Sequence, residues 1–132
     1  MISFSKLKWA VLWAVLIFVL CVMPGNRIPH VPFLEFHYFD KLVHLGLFYV
    51  QTILTIRGLS TQNRFKNVLS RAMLLSFVLC FLYGGMLELI QGAWCIDRTA
   101  DVYDFFADVA GSILGIITYK KTMLLCCREH IN

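Results

Sequence analysis

Apolar residues gather along this chain in four long runs, and the polar residues fall either between the runs or at a few isolated places inside them. Trp9 to Met23 is uninterrupted and closed by Pro24-Gly25-Asn26. Leu42 to Ile56 is entered through Asp40 and Lys41 and left through Arg57-Gly58. Ala72 to Ile96 is the longest run, broken by Gly84-Gly85, Glu88 and Gln91, and Val102 to Tyr119 is the fourth. Spanning the hydrocarbon of a bilayer takes roughly 20 residues of helix. The pattern therefore predicts membrane helices over about 7–23, 41–57, 72–96 and 102–119, the first completed by Leu7 and a snorkelling Lys8. A cleaved signal peptide is the other reading of that first run. No small-x-small site precedes Pro24, and Leu20 is too large beside Cys21 for a lipoprotein site, so a retained helix is expected.

Composition narrows the class. Of the 132 residues, 59% are hydrophobic and 15% charged, too little charge to cover a soluble domain of this size. The mean hydropathy is +0.72. Five cysteines without C-x-x-C spacing speak against a disulfide framework or a zinc site, and they read as small apolar residues. Residues 24–40 hold all three prolines among aromatics, the mark of a loop lying in the interface. Residues 57–71 form a polar loop with four basic residues and no acid.

Charge then orients the chain. The N-terminus, the 57–71 loop and the tail carry nine of the twelve Lys and Arg, and seven of the eight acidic residues lie toward the opposite side. Cytoplasmic loops of membrane proteins carry the basic excess. The expected fold is all-α: a polytopic four-helix transmembrane bundle, one domain over residues 1–132, with both termini cytoplasmic. The net charge of +4 is absorbed by this topology, and no nucleic-acid partner is expected.

The polar residues inside the runs are the candidates for chemistry. Asp101, Asp104, Asp108, Gly111 and Gly115 follow at alternating steps of three and four, which places them on one helical stripe. Asp101 suits a cap at the start of a helix. Asp108 lies about 10 Å along the fourth helix, where a charged Asp costs on the order of 2.5–3.5 kcal/mol unless it faces protein or water; Asp104 and Asp108 are thus expected to line a polar cavity. Glu88 is the deepest acid of the third helix, either a protonated group bonded to a neighbour or an acid or base. Gln91 shares its face; Lys41, His44 and Gln51 share one on the second helix. Taken singly, the amides and His44 read as glue between helices. Arg98, among Asp97, Asp101 and Asp104, either pairs with a carboxylate or binds a phosphate. Gly111 and Gly115 form a G-x-x-x-G pair for close helix packing, within the chain or between copies. Carboxylates with a His can suit a hard cation, but H-x-x-x-H spacing is absent, so no metal and no cofactor is assigned. No G-x-S-x-G or Cys-His arrangement supports nucleophilic catalysis.

Asp40-Lys41-x-x-His44, Glu88-x-x-Gln91 and Arg98-x-x-Asp101-x-x-Asp104-x-x-x-Asp108-x-x-Gly111-x-x-x-Gly115 together resemble the VanZ-like family of small bacterial membrane proteins, over about residues 24–119. The position of Asp108 is usually Asn in that family, and a protonated Asp can take the place of an amide. The resemblance implies a bacterial cytoplasmic-membrane protein of the cell envelope, with a founding relative associated with resistance to the glycopeptide teicoplanin. The expected function is binding of a lipid head group or lipid-linked cell-wall precursor at the extracytoplasmic face. Lys41, His44 and Arg98 would meet phosphate there, and Glu88, Gln91, Asp101, Asp104 and Asp108 would complete the site. The alternative is an intramembrane hydrolase or transferase on a lipid-linked substrate, with Glu88 or Asp104 as base and His44 as its acid partner. A proton path is disfavoured, because no matching acid lies in the cytoplasmic half.

Overall fold

The structure, a computed structural model, describes residues 4–23, 39–62, 68–95 and 100–129. Four helices account for nearly all of them: α1 Phe4–Val22, α2 Phe39–Ser60, α3 Val68–Trp94 and α4 Val102–Glu129. Each contains a stretch long and apolar enough to cross a membrane. The fold is all-helical, as the four apolar runs predict.

The helices outlast the runs that reveal them. Helix α3 starts at Val68, taking in Arg71, and α4 continues to Glu129 through Lys120 and Lys121. Lys and Arg end a membrane span but are among the better helix formers, so they do not end the helix itself. The last turn of α2 closes on its own side chains: the hydroxyls of Ser60 and Thr61 donate to the carbonyl of Arg57, and that of Thr61 also to Gly58. They satisfy acceptors that a helix end leaves open.

Side-chain polarity is inverted relative to a soluble bundle. The buried face of α2 comprises His44, Phe48, Gln51, Thr52, Thr55, Ile56 and Gly58, whereas Leu12 and Val15 of α1, Leu74 and Leu82 of α3 and Phe106 and Ile117 of α4 are exposed. A bilayer provides no hydrophobic drive between helices, so close backbone approach and interhelical hydrogen bonds must hold them, the latter averaging about 0.6 kcal/mol each. Helix α1 is held in this way. Trp13 Nε1 donates to Leu47 O at 3.0 Å, Gln51 Nε2 to Ala10 O at 3.2 Å, Tyr83 Oη to Ala14 O at 2.6 Å and Gln91 Nε2 to Cys21 O at 2.9 Å. At the far end Lys6 donates to the carbonyl of Thr61.

The closest packing is between α2 and α4, two helices that run parallel in an up-down-up-down chain and would lie on the diagonal of a square bundle. A Cβ on Gly111 would stand 2.2 Å from Leu45 O, and one on Gly115 would stand 2.9 Å from Tyr49 O. The G-x-x-x-G pair is thus spent inside the chain, both glycines buried against α2, which leaves that pair no open face for a second copy. Helix α1 packs on α2 and α3 and, among the described residues, does not reach α4. One apolar cluster, Ile17, Cys21, Phe48, Cys80 and Leu87, joins the first three helices in the middle of the bundle. A second, Ile56, Ala72 and Tyr119, closes the far end. Cys21 and Cys95 remain thiols, with Cys95 Sγ 3.7 Å from Val22 O.

Candidate functional site

The collapse of α2 onto α4 brings the polar residues of three helices together at one end of the bundle. Asp101 caps α4: its Oδ1 accepts the amide of Tyr103 at 2.8 Å, and its carbonyl accepts that of Asp104 at 3.0 Å. The expected capping role is therefore real, and it occupies only half of the carboxylate. Asp101 Oδ2 takes the Lys41 ammonium at 2.8 Å, and Asp104 Oδ1 takes the same ammonium at 3.1 Å. The Tyr103 ring lies 5.8 Å from that ammonium, within cation–π range. Lys41, Asp101 and Asp104 form the outer tier.

The inner tier is His44, Glu88 and Asp108. His44 Nδ1 and Asp108 Oδ1 are 2.9 Å apart. Glu88 Oε2 accepts the backbone amide of Asp101 at 2.9 Å, which ties the inner tier to the cap of α4. All three are buried, with 2%, 7% and 1% exposure for His44, Glu88 and Asp108. Their positions five or six residues from the ends of α2, α3 and α4 set them at a common depth of about 8–9 Å. The opening left by Gly84 is filled by Asp108: a Cβ there would meet Asp108 Oδ2 at 2.8 Å. Two carboxylate oxygens of this tier, Glu88 Oε1 and Asp108 Oδ2, are buried with no hydrogen-bond partner among the described residues.

Of the expected site residues, the structure thus assembles Lys41, His44, Glu88, Asp101, Asp104 and Asp108. Gln91 is directed elsewhere: it is buried, and its amide nitrogen is spent on the carbonyl of Cys21 in α1. Gln51, on the same face as His44 by spacing, lies two turns deeper and bonds Ala10 O and Thr55 Oγ1. Both amides are interhelical glue, one of the two roles their sequence positions allowed. Arg98 lies outside the described residues. Asp40 is an addition to the expected set. It sits one turn before His44, and its carboxylate converges with His44 and Asp104. The i, i+4 spacing of Asp40 and His44 is the sequence signal for it.

Electrostatically this end is acidic. Asp40, Glu88, Asp101, Asp104 and Asp108 face one Lys among its described residues, and that Lys is already held by two of them. What the inner tier offers is acceptor oxygens and an imidazole. The chain matches no protein-family model, no curated protein and no solved structure.

Proposed function

We propose that this is a VanZ-like multi-pass protein of the bacterial cytoplasmic membrane, whose two-tier polar site binds the head group of a lipid or lipid-linked cell-wall precursor. The observation that carries this is the pair of buried carboxylate oxygens, Glu88 Oε1 and Asp108 Oδ2, without partners among the described residues at the depth where three helices meet. A buried acceptor left unpaired costs about 1–3 kcal/mol, and a ligand that donates hydrogen bonds recovers that cost. Sugar hydroxyls and ammonium groups are such donors. The Lys41 ammonium stands at the mouth between Asp101 and Asp104, in reach of an anionic group that follows the donor part in.

Orientation supports an outward-facing site. The far end carries Lys6, Lys8, Arg57, Arg71, Lys120 and Lys121, the basic excess of a cytoplasmic face. A role in glycopeptide resistance follows only through the family resemblance. The test is binding of a polyprenyl-pyrophosphate-linked sugar by the reconstituted protein, against the same lipid without its sugar. Preference for the sugar-bearing lipid, lost in Glu88→Gln, is the expected result. Equal retention of both lipids would remove the donor-recognition argument.

One observation favours a second reading, an intramembrane hydrolase or transferase. A buried imidazole held by a carboxylate at 2.9 Å has the geometry of a general base fixed by an orienting acid. In this arrangement Asp108, rather than Glu88 or Asp104, is the partner of His44. Turnover of a labelled lipid-linked substrate, lost in His44→Gln and strongly reduced in Asp108→Asn, is what this reading requires.

A further inference from the structure

The geometry points to His44, Glu88 and Asp108 as a binding site for a divalent first-row transition ion, Mn²⁺ or Zn²⁺. This does not rest on the head-group reading; it draws on the same two carboxylate oxygens, so with the ion bound a head group would meet it through the open coordination positions and not through those oxygens directly.

Three ligand atoms, one from each residue, lie within 4.8 Å of one another, and all three residues are buried. The separation of His44 Nδ1 from Asp108 Oδ1, 2.9 Å, is that of neighbouring ligands: two atoms each about 2.1 Å from an ion and at right angles to it stand about 3 Å apart. Glu88 Oε1 and Asp108 Oδ2, unpartnered among the described residues, supply the lone pairs that the internal hydrogen bonds do not use.

Charge gives the second reason. Two carboxylates and a neutral imidazole around a divalent ion make a neutral cluster. A buried, uncompensated charge within a membrane costs several kcal/mol. Lys41 cannot perform this neutralisation for the inner tier, because its ammonium is bound to Asp101 and Asp104. Ion binding displaces the proton shared by His44 and Asp108 to solvent.

The donor set selects the ion. One imidazole with two carboxylates falls between the all-oxygen sites of Mg²⁺ and Ca²⁺ and the thiolate-rich sites of structural zinc. Three protein ligands leave coordination positions open. The neighbouring set, Asp40, His44 and Asp104, is the weaker candidate, since Asp40 is exposed and Asp104 already holds Lys41. It also provides an internal control.

Full-length protein, stripped with chelator in detergent and checked for monodispersity, is titrated with Mn²⁺ while free ion is followed by electron paramagnetic resonance, and Zn²⁺ is then added as competitor. The expected result is one Mn²⁺ per chain, displaced by Zn²⁺. Affinity should be weakened at least about 10-fold by Glu88→Gln, Asp108→Asn or His44→Gln, taking the loss for disturbing a supporting group as a lower bound, and by clearly less than that in Asp40→Asn, which leaves all three ligands in place. Spin-echo modulation from a nitrogen nucleus on the bound Mn²⁺ of the unmodified protein identifies His44 without any variant. Binding of neither ion, modulation without nitrogen, or loss in Asp40→Asn with retention in Glu88→Gln would overturn the assignment.

Discussion

Adding one methyl group at Gly111 should disable the site from outside it. A Cβ built there stands 2.2 Å from Leu45 O, 3.0 Å from Leu45 C and 3.1 Å from Leu45 Cα. These are backbone atoms within the second turn of α2, which no side-chain rotation can move aside. Ordinary contact with that oxygen needs about 3.4 Å, so α4 must withdraw from α2 by about 1 Å, against a core that resists such changes. Overpacking of this kind costs about 1–3 kcal/mol. The same withdrawal stretches the 2.9 Å bond between His44 and Asp108, three residues before Gly111, beyond hydrogen-bonding range. Leaving those buried groups apart adds about 1–3 kcal/mol. Gly46 is the matched control, because a Cβ there meets nothing within 4 Å; Gly46→Ala should be neutral or stabilise by up to about 1 kcal/mol through helix propensity. Reversible unfolding in mixed detergent micelles gives both values. The coupling between His44→Gln and Asp108→Asn, measured by a double-mutant cycle, should vanish in the Gly111→Ala background. If Gly111→Ala were as stable as Gly46→Ala, or kept the full coupling, the reasoning from α2–α4 contact to site would fail.

Other substitutions separate the two tiers from the scaffold. Gly84→Ala, whose Cβ meets Asp108 Oδ2 at 2.8 Å, should displace that carboxylate and weaken ligand and Mn²⁺ binding together while costing less stability than Gly111→Ala, since a side chain yields more readily than backbone. Lys41→Met removes the cation from between Asp101 and Asp104; the unfolding assay should show a loss of about 1–3 kcal/mol, part of which Asp104→Asn in the same chain restores, because breaking an ion pair costs more than neutralising it. Gln91→Leu should loosen α1, with a stability loss of about 0.6–1.7 kcal/mol, and leave head-group binding unchanged, since its amide is spent on Cys21 O.

Much of this was legible in the sequence because membrane insertion makes polarity expensive. An acid inside an apolar run must find a partner, and so Glu88, Asp104 and Asp108 announce a shared site before any coordinates. The stripe of three and four steps likewise gives the face of α4 that turns inward. Helix packing is less legible. Small-residue spacing says that Gly111 and Gly115 permit close approach, but not that the neighbour is α2 of the same chain; that choice depends on which helix presents Leu45 and Tyr49 at the matching rise. The diagonal contact sets His44 against Asp108 at 2.9 Å, a pairing that residue types alone do not single out from Glu88 or Asp104. The amides show the same limit from the other side. Gln91 shares a face with Glu88, yet a long side chain one turn nearer the helix end meets a carbonyl of α1 instead of the polar cluster. The helices run past Arg71 and Lys120 because charge marks where hydrocarbon stops, not where hydrogen bonding along the backbone does.

The central claim is that the two-tier cluster holds a polar head group, and native mass spectrometry of the protein with its co-purifying lipids tests it most directly. The unmodified protein should retain a specific lipid whose head group carries hydroxyl or ammonium donors. The double variant Glu88→Gln, Asp104→Asn, extracted from the same membranes in equally monodisperse form, should lose that lipid. An identical lipid profile for the two proteins, following the bulk composition of the membrane, would contradict the account.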